Sequence, residues 1–311
     1  MLRSLAGAVL LAGFALAQAE PFTFAALGDA PYNWNEHEAM GRMLDTFGRE
    51  GLAFAVHIGD IKSGHSDCND ATYADRLKLL DATPVPLVLI PGDNDWTDCD
   101  RVMSGSWVPE ERLAKLRDTF FHRPDSLGLQ RMPLERQPIG REGCCPENVR
   151  WWHKGILFIG LHMIGSSNNR GSGTDPKPEY TVRNDANVYW LKEGFALARD
   201  RNAPAVVLFV HANTRLERIG RFARPYADVL DIVKDETIAY GRPVLLVHGD
   251  THRFQFDRPW WRAKTREGVR NLLRIQVPGS PTVAWVPVHV DPASVDVFTV
   301  TAPRFAPAAP R

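Results

Sequence analysis

Short, nearly continuous runs of apolar residues recur along the chain, and each predicts a β-strand that is covered on both faces. Stretches with helical spacing of apolar residues lie between most of these runs. This alternation is typical of an α/β protein. The predicted strands are 22–27, 53–58, 87–90, 156–161, 205–210 and 244–247, and the predicted helices are 35–49, 71–82, 110–120, 185–201 and 225–240.

The pattern changes after residue 271. Residues 272–277, 283–289 and 295–300 alternate between apolar and polar positions, with Pro-Gly and Asp-Pro turns between them, and this predicts an antiparallel meander. Residues 121–150 and 165–184 are rich in Pro, Gly, Asn and Arg, and loops of that length are usually functional or disordered. Because we find no repeat and no long linker, residues 20–311 are predicted to form one domain.

The first 19 residues have the features of a secretory signal peptide. Arg3 gives a positive start, residues 5–16 are apolar, and Ala17-Gln18-Ala19 matches a cleavage site. No later stretch approaches the roughly 20 apolar residues of a transmembrane helix. The sequence therefore predicts an exported protein, periplasmic or secreted, without a transmembrane segment after cleavage.

Export changes the interpretation of the four cysteines, Cys68, Cys99, Cys144 and Cys145. An even number in an oxidising compartment favours disulfides, and four cysteines allow three pairings. A bridge between Cys68 and Cys99 would join two loops that each follow a predicted strand. A cysteine zinc site is disfavoured, since the spacing C-x-x-C is absent.

The composition excludes some classes of protein. Lys and Arg number 37 and Asp and Glu number 37, so the formal net charge is zero, and 44% of the residues are hydrophobic. These values are ordinary for a globular protein. They argue against a nucleic-acid-binding protein that depends on a basic surface.

An Asp or a His follows the carboxyl end of five predicted strands. Ligands of open α/β sheets bind at such ends, so we expect these side chains to converge on one pocket that could hold two cations. Glycine before the aspartate lets the backbone turn sharply and leaves space for an ion. The motifs are Gly28-Asp29, Gly59-Asp60, Gly92-Asp93-Asn94-Asp95, His211-Ala212-Asn213 and Gly249-Asp250-Thr251-His252.

The order of these motifs resembles that of the calcineurin-like metallophosphoesterases, the superfamily that includes the purple acid phosphatases. The resemblance covers about residues 22–300. The family's motifs read D-x-H, G-D-x-x, G-N-H-D/E, a lone His and G-H-x-H. The resemblance implies a two-sheet αββα sandwich flanked by helices and hydrolysis of phosphate esters by a metal-bound hydroxide at a dinuclear site. The ligands it implies are Asp29 and His252 on the first metal, Asp60 bridging both, His211 on the second, and Asp93 and Asp250 where the family has Asn and His.

The chain departs from the family at three positions besides Asp93. Position 31 is Pro where a His ligand is usual, which leaves the first metal a ligand short unless Tyr32 replaces it. Asn94 stands in place of a non-ligand His, and an amide can donate a hydrogen bond but cannot supply a proton. A second alignment makes Asn94 the ligand and Asp95 the acid, so both are candidate catalytic residues. The third departure is Asp250 in place of His.

The proposed ligand set contains four carboxylates and two imidazoles. It is harder than the family norm and favours Mn²⁺, Mg²⁺, Ca²⁺ or iron over Zn²⁺. Four carboxylates also neutralise the formal charge of two divalent cations. The cations would then be weaker Lewis acids towards bound water.

Two further polar residues are candidates for substrate contact. Asn213 follows His211 by two positions and either faces the substrate or caps a loop. Arg170 lies in the polar loop after a predicted strand and either meets a phosphate or is a solvated surface residue. His248 either braces the second metal loop or is an ordinary histidine at a strand end, and His57 is expected in the core.

The function favoured by the sequence is that of a secreted metal-dependent phosphoesterase acting on a phosphorylated small molecule or macromolecule. Asn94 favours monoesters with good leaving groups, which need little protonation. The alternative is a catalytically weak metal- or phosphate-binding module on the same fold.

Overall fold

The computed structural model describes residues 20–138, 145–213, 216, 224–259 and 268–308. Two β-sheets pack face to face and helices cover their outer faces, as predicted. The helices are α1 Trp34–Thr46, α2 Asp70–Asp81, α3 Pro109–Phe120, α4 Pro178–Asp200 and α5 Ala227–Tyr240. The strands are β1 Phe22–Leu27, β2 Phe54–His57, β3 Leu87–Leu89, β4 Glu135–Arg136, β5 Val149–His153, β6 Ile156–Gly160, β7 Val206–Phe209, β8 Val244–His248, β9 Gln255–Asp257, β10 Leu272–Gln276, β11 Ala284–Val290, β12 Phe298–Val300 and β13 Arg304–Phe305.

The strand order brings the ends of the parallel strands together. The first sheet has the order β12-β11-β1-β2-β3, with β13 paired to β11, and the second has the order β4-β5-β6-β7-β8-β10-β9. Strands β1, β2 and β3 are parallel, and so are β6, β7, β8 and β10. The Gly-Asp and His motifs therefore follow the carboxyl ends of neighbouring parallel strands in both sheets.

Aromatic side chains fill the space between the sheets. The rings of Phe24 and Phe54 stack with centroids 5.3 Å apart, and Phe158 of the second sheet meets Phe24 edge-on at 5.7 Å. Trp151 stacks on Phe158 and on Phe209 at 5.2 and 5.7 Å. Because both faces of the central strands are buried, the apolar runs are almost continuous in the sequence.

The predicted C-terminal meander is wrong. Strand β10 lies in the second sheet, parallel to β8 and antiparallel to β9, whereas β11 lies in the first sheet, antiparallel to β1. The segment between β10 and β11 thus crosses from one sheet to the other. Only β11 and β12 pair as neighbours in the predicted manner. Alternation along one strand shows which face is buried but not which strand is its partner.

Two elements lie partly in stretches predicted to be irregular. Helix α4 begins at Pro178 instead of residue 185, because proline fits the first turn of a helix, where its missing N–H costs nothing. Strand β5 begins at Val149 and pairs with β6. Among the described residues, no helix is both long and apolar enough to cross a membrane.

A disulfide joins the loop after β2 to the loop after β3. It links Cys68 and Cys99, which are fully buried, are 31 positions apart in the sequence and have Cα atoms 5.8 Å apart. The predicted bridge between the two loops is thus present. The predicted signal peptide and Cys144 lie outside the described residues.

Removing this disulfide should destabilise the protein. A Cys68→Ala, Cys99→Ala double variant loses the cross-link that restricts the unfolded chain, so its free energy of unfolding should fall by about 2–4 kcal/mol. Urea unfolding measures the change. An unchanged unfolding midpoint in the double variant would contradict the assignment.

Candidate metal centre

The predicted ligand residues adopt an uncommon backbone conformation. Asp29, Asp60, Asp250 and His252 have φ angles of 53°, 55°, 76° and 60°. Non-glycine residues rarely occupy this left-handed region, and such strain clusters at functional sites. Four of the six predicted ligands therefore sit where the chain holds an unfavourable conformation in order to direct a side chain.

The six predicted ligands lie close together in two groups. Ligand atoms of Asp29, Asp60 and His211 all lie within 4.8 Å of one another, and the same holds for Asp93, His211 and Asp250. His252 lies beside the first group, with its Nε2 3.7 Å from Oδ1 of Asp29. The arrangement joins loops of both sheets at one pocket.

Both histidines are oriented as metal ligands usually are. Nδ1 of His211 lies 2.7 Å from the carbonyl oxygen of Ile58, and its Nε2 lies 2.8 Å from Oδ1 of Asp93. Nδ1 of His252 lies 2.7 Å from the carbonyl oxygen of Ser280. A backbone carbonyl that accepts from Nδ1–H leaves Nε2 free to bind a cation. This orientation and the carboxylate-rich donor set fit two hard divalent cations.

The charges of the pocket are poorly compensated by the protein alone. Burial raises the pKa of Asp29 to about 7 and, together with the nearby Asp93, raises the pKa of Asp60 well above its usual value. Burial would lower the pKa of His211, but the carboxylates of Asp60 and Asp93 outweigh it and raise that pKa well above the usual value. The hydrogen bond from His211 lowers the pKa of Asp93 to about 2, although burial opposes this. The pocket therefore favours bound positive charge, either protons or metal ions.

Tyr32 follows Pro31, which stands where the family has a histidine ligand, and its side chain contacts two of the predicted ligands. Its hydroxyl donates to Oδ2 of Asp60 at 2.8 Å and lies 3.3 Å from Nε2 of His252. The Asn94 amide donates to Oδ2 of Asp60 at 2.6 Å and to the Tyr32 hydroxyl at 3.0 Å. The side chains of Tyr32 and Asn94 thus face the first ligand group.

Asp95 faces the backbone of two loops. Its Oδ2 accepts from the N–H groups of Gly92 at 2.7 Å and Asp60 at 3.0 Å, and its Oδ1 accepts from the N–H of Ile61 at 2.8 Å. The side chain is fully buried. This carboxylate ties the loop after β2 to the loop after β3.

Sequence reasoning missed two side chains beside the second ligand group. The Ser166 hydroxyl lies 2.8 Å from Oδ2 of Asp93 and 2.9 Å from Oδ1 of Asp98. Burial, followed by the charge of Asp93, raises the pKa of Asp98 to about 6, and Arg101 forms an ion pair with it. The polar run after β6 was the available signal for Ser166, whereas nothing in the sequence marked Asp98.

Ser166 belongs to a left-handed turn. Four consecutive non-glycine residues, 166–169, have φ between 45° and 55°. Left-handed conformation costs roughly 1–2 kcal/mol per residue, so the surroundings must hold the turn. Buried Arg183 donates to the carbonyl oxygens of Asn168 at 2.8 Å and His162 at 3.0 Å. At Gly165, which precedes the turn, an added Cβ would lie only 2.5 Å from Oδ1 of Asp93 and 2.7 Å from Oδ1 of Asp250, so a glycine is needed there.

The two predicted substrate-contacting residues line one cavity near Asp250. Arg170 is buried and donates to the carbonyl oxygens of Gly173 at 3.2 Å and Thr174 at 3.0 Å. The backbone N–H of Asn213 donates to Oδ2 of Asp250 at 2.9 Å. Arg170 is therefore not a solvated surface residue.

Two other histidines support the loops of the site. Nε2 of His57 lies 2.9 Å from the carbonyl oxygen of Ala30, and Nδ1 of His248 lies 3.2 Å from that of Gly249. Both rings are fully buried, and burial lowers the pKa of His57 to about 4 and that of His248 to about 3. Both are therefore neutral at pH 7, and each contacts the loop that carries a predicted ligand.

Comparisons with known proteins show which solved structures have a similar fold. No family model and no curated protein sequence matches the chain. PhoD is similar in structure, with a TM-score of 0.58 and 13% sequence identity. The match covers 89% of this chain and 65% of PhoD, so this chain spans slightly less than two thirds of the length of PhoD. Purple acid phosphatase PPD1 from yellow lupin gives 0.53 and 11% over 92% of this chain and 53% of that one. GAP50, described as the anchor in the inner membrane complex of Plasmodium, gives 0.51 and 12% over 92% and 89%. The chain therefore shares its two-sheet fold with these proteins, as the resemblance in motif order implied.

The neutral state of His57 predicts a pH dependence of stability. Below pH 6.5 the unfolded chain gains a proton on His57, whereas the folded chain does not until about pH 4, so acid favours unfolding. The stability advantage of wild type over His57→Leu should fall by about 2 kcal/mol between pH 7 and pH 5. Urea unfolding of both chains in chelator measures it, and an equal difference at both pH values would disprove the assignment.

Proposed function

We propose that the chain is a metal-dependent phosphoesterase that hydrolyses phosphate esters at a two-metal centre. The observation that supports this most strongly is the convergence of Asp29, Asp60, Asp93, His211, Asp250 and His252 from both sheets into two ligand groups. Three of the four aspartates are buried, and buried carboxylates in such numbers require compensating charge.

Each group would hold one cation. Asp29 and Asp60 of the first group, together with the neighbouring His252, would hold the first cation, and Asp93, His211 and Asp250 would hold the second. Asp60 would be shared by both, since its Oδ1 lies 3.5 Å from Nε2 of His211. Two such cations, when bound, polarise the phosphoryl oxygens and lower the pKa of water. In the net reaction a water oxygen bonds to phosphorus, the ester P–O bond breaks, and the leaving alcohol takes up a proton.

Asn94 is the candidate for contact with the reacting phosphoryl group, and Asp95 is a positioning residue. The Asn94 amide points at Asp60 and can donate to an oxygen of the substrate, whereas both oxygens of Asp95 accept from backbone N–H groups. Since Asn94 cannot protonate a leaving group, esters of acidic alcohols should be hydrolysed best.

The donor set favours hard cations. Carboxylates outnumber imidazoles, so Mn²⁺, Mg²⁺, Ca²⁺ or iron should support activity better than Zn²⁺. The Cys68–Cys99 disulfide and the predicted signal peptide at residues 1–19 both support export to an oxidising compartment.

The purified protein should hydrolyse p-nitrophenyl phosphate with Mn²⁺ or Mg²⁺ and more slowly with Zn²⁺. In Asp60→Asn, kcat/KM should fall on the order of 100-fold, because a carboxylate shared by both metals is lost. Asp185→Asn, an exposed aspartate on α4, is the matched control and should retain activity. Metal binding without turnover of this monoester or its diester would favour the alternative, a catalytically weak binding module.

Substitutions at positions 94 and 95 should have different effects. Asn94→Ala should lower kcat by about tenfold for both phenyl phosphate and p-nitrophenyl phosphate, because the amide donates a hydrogen bond to the phosphoryl group but no proton to the leaving alcohol, while the melting temperature changes little. Asp95→Asn should lower the free energy of unfolding by about 1–3 kcal/mol, because its amide cannot accept all three backbone hydrogen bonds. Wild-type stability for Asp95→Asn combined with loss of kcat would instead make Asp95 the acid.

A further inference from the structure

A cavity of about 570 Å³ adjoins the proposed metal centre. Asp250, a member of the second ligand group, forms part of its wall. So does Ser166, whose hydroxyl contacts Asp93 of the same group. Ser167, residues 170–173, Asn213 and residues 224–226 form other parts. A phosphate ester bound at the metals therefore has space for its leaving group in this direction. The volume suits a small molecule rather than a macromolecule.

The wall of this cavity carries two arginines. Arg170 and Arg224 both line it, and Asp250 is its only carboxylate among the described residues. Beyond the ligand group, the charged side chains of the described lining are therefore both positive. The remaining side chains are three serine hydroxyls, one amide, one proline and the phenol of Tyr226.

No side chain that the structure describes neutralises the charge of Arg170. Its side chain is buried, with 8% of the residue exposed, and its hydrogen-bond partners are two backbone carbonyl oxygens. No described carboxylate forms an ion pair with it. These two bonds use two of the five N–H donors of a guanidinium. A buried charge is normally paired, so the geometry favours an anion in the cavity.

We propose that this cavity binds the leaving group of the substrate, and that the substrate is a small phosphate ester whose leaving group carries a second anionic group. Arg170 and Arg224 recognise that second anion while the phosphoryl group lies at the metals. The inference rests on the proposed phosphoesterase function and adds the class of substrate to it.

Non-hydrolysable phosphonates test the cavity independently of turnover. Isothermal titration of Mn²⁺-loaded protein compares butylphosphonate with 4-phosphonobutanoate, which has nearly the same length and adds a carboxylate. Wild type should bind 4-phosphonobutanoate about tenfold more tightly, as expected of charge-assisted hydrogen bonds. Equal dissociation constants would overturn the proposal.

Variants assign the preference to the two arginines. Arg170→Met should bring the ratio of the two dissociation constants close to one, and Arg170→Lys should restore part of it. Arg170 also donates to the carbonyl oxygens of Gly173 and Thr174, so its substitution could disturb the loop. Arg224 is exposed, and Arg224→Met therefore tests the preference without that effect and should reduce the ratio of the dissociation constants. Arg199→Met, which removes a distant ion pair with Glu236, should leave the ratio unchanged. A preference that survives both methionine substitutions would overturn the proposal.

Turnover separates this inference from the function on which it rests. Hydrolysis of phenyl phosphate is compared with that of 4-carboxyphenyl phosphate, which also has an acidic leaving alcohol and adds a carboxylate to it. A phosphonate preference without turnover of either ester would refute the phosphoesterase function and leave the anion-binding cavity standing. Turnover without any preference would refute the cavity and leave the phosphoesterase function standing.

Discussion

Burial of several carboxylates in one pocket is the constraint on which the rest of the site depends. Asp29, Asp60 and Asp93 are buried, and Asp250 lies next to them. Ionised carboxylates removed from water are costly unless a positive charge accompanies them. The raised pKa values of Asp29 and Asp60 express this cost. Two divalent cations would remove it, and the fold would then gain stability from binding them.

The surrounding structure holds these side chains in place. Asp95 joins two ligand loops through three backbone N–H groups, and the Cys68–Cys99 disulfide joins the same two loops farther out. Arg183 holds the left-handed turn that brings Ser166 to Asp93. The strain at four ligand positions is thus balanced by well-paired neighbours.

The strands and ligand positions could be predicted because both leave a local signal. Runs such as 22–27 and 205–210 are apolar throughout since both of their faces are buried, and the Gly-Asp motifs directly follow such runs. The hydrogen bonds of Ser166 with Asp93 and Asp98 could not be predicted, because they join residues that are 73 and 68 positions apart in the sequence. The same limit applies to β10 and β11, since local alternation does not specify the partner strand.

The central claim is that the aspartate pocket holds two metal ions. Anomalous diffraction from crystals grown with Mn²⁺ tests it most directly. The account predicts two manganese peaks per chain, one among Asp29, Asp60 and His252 and the other among Asp93, His211 and Asp250. A pocket without a manganese peak at saturating Mn²⁺, its carboxylates hydrogen-bonded to one another, would contradict it.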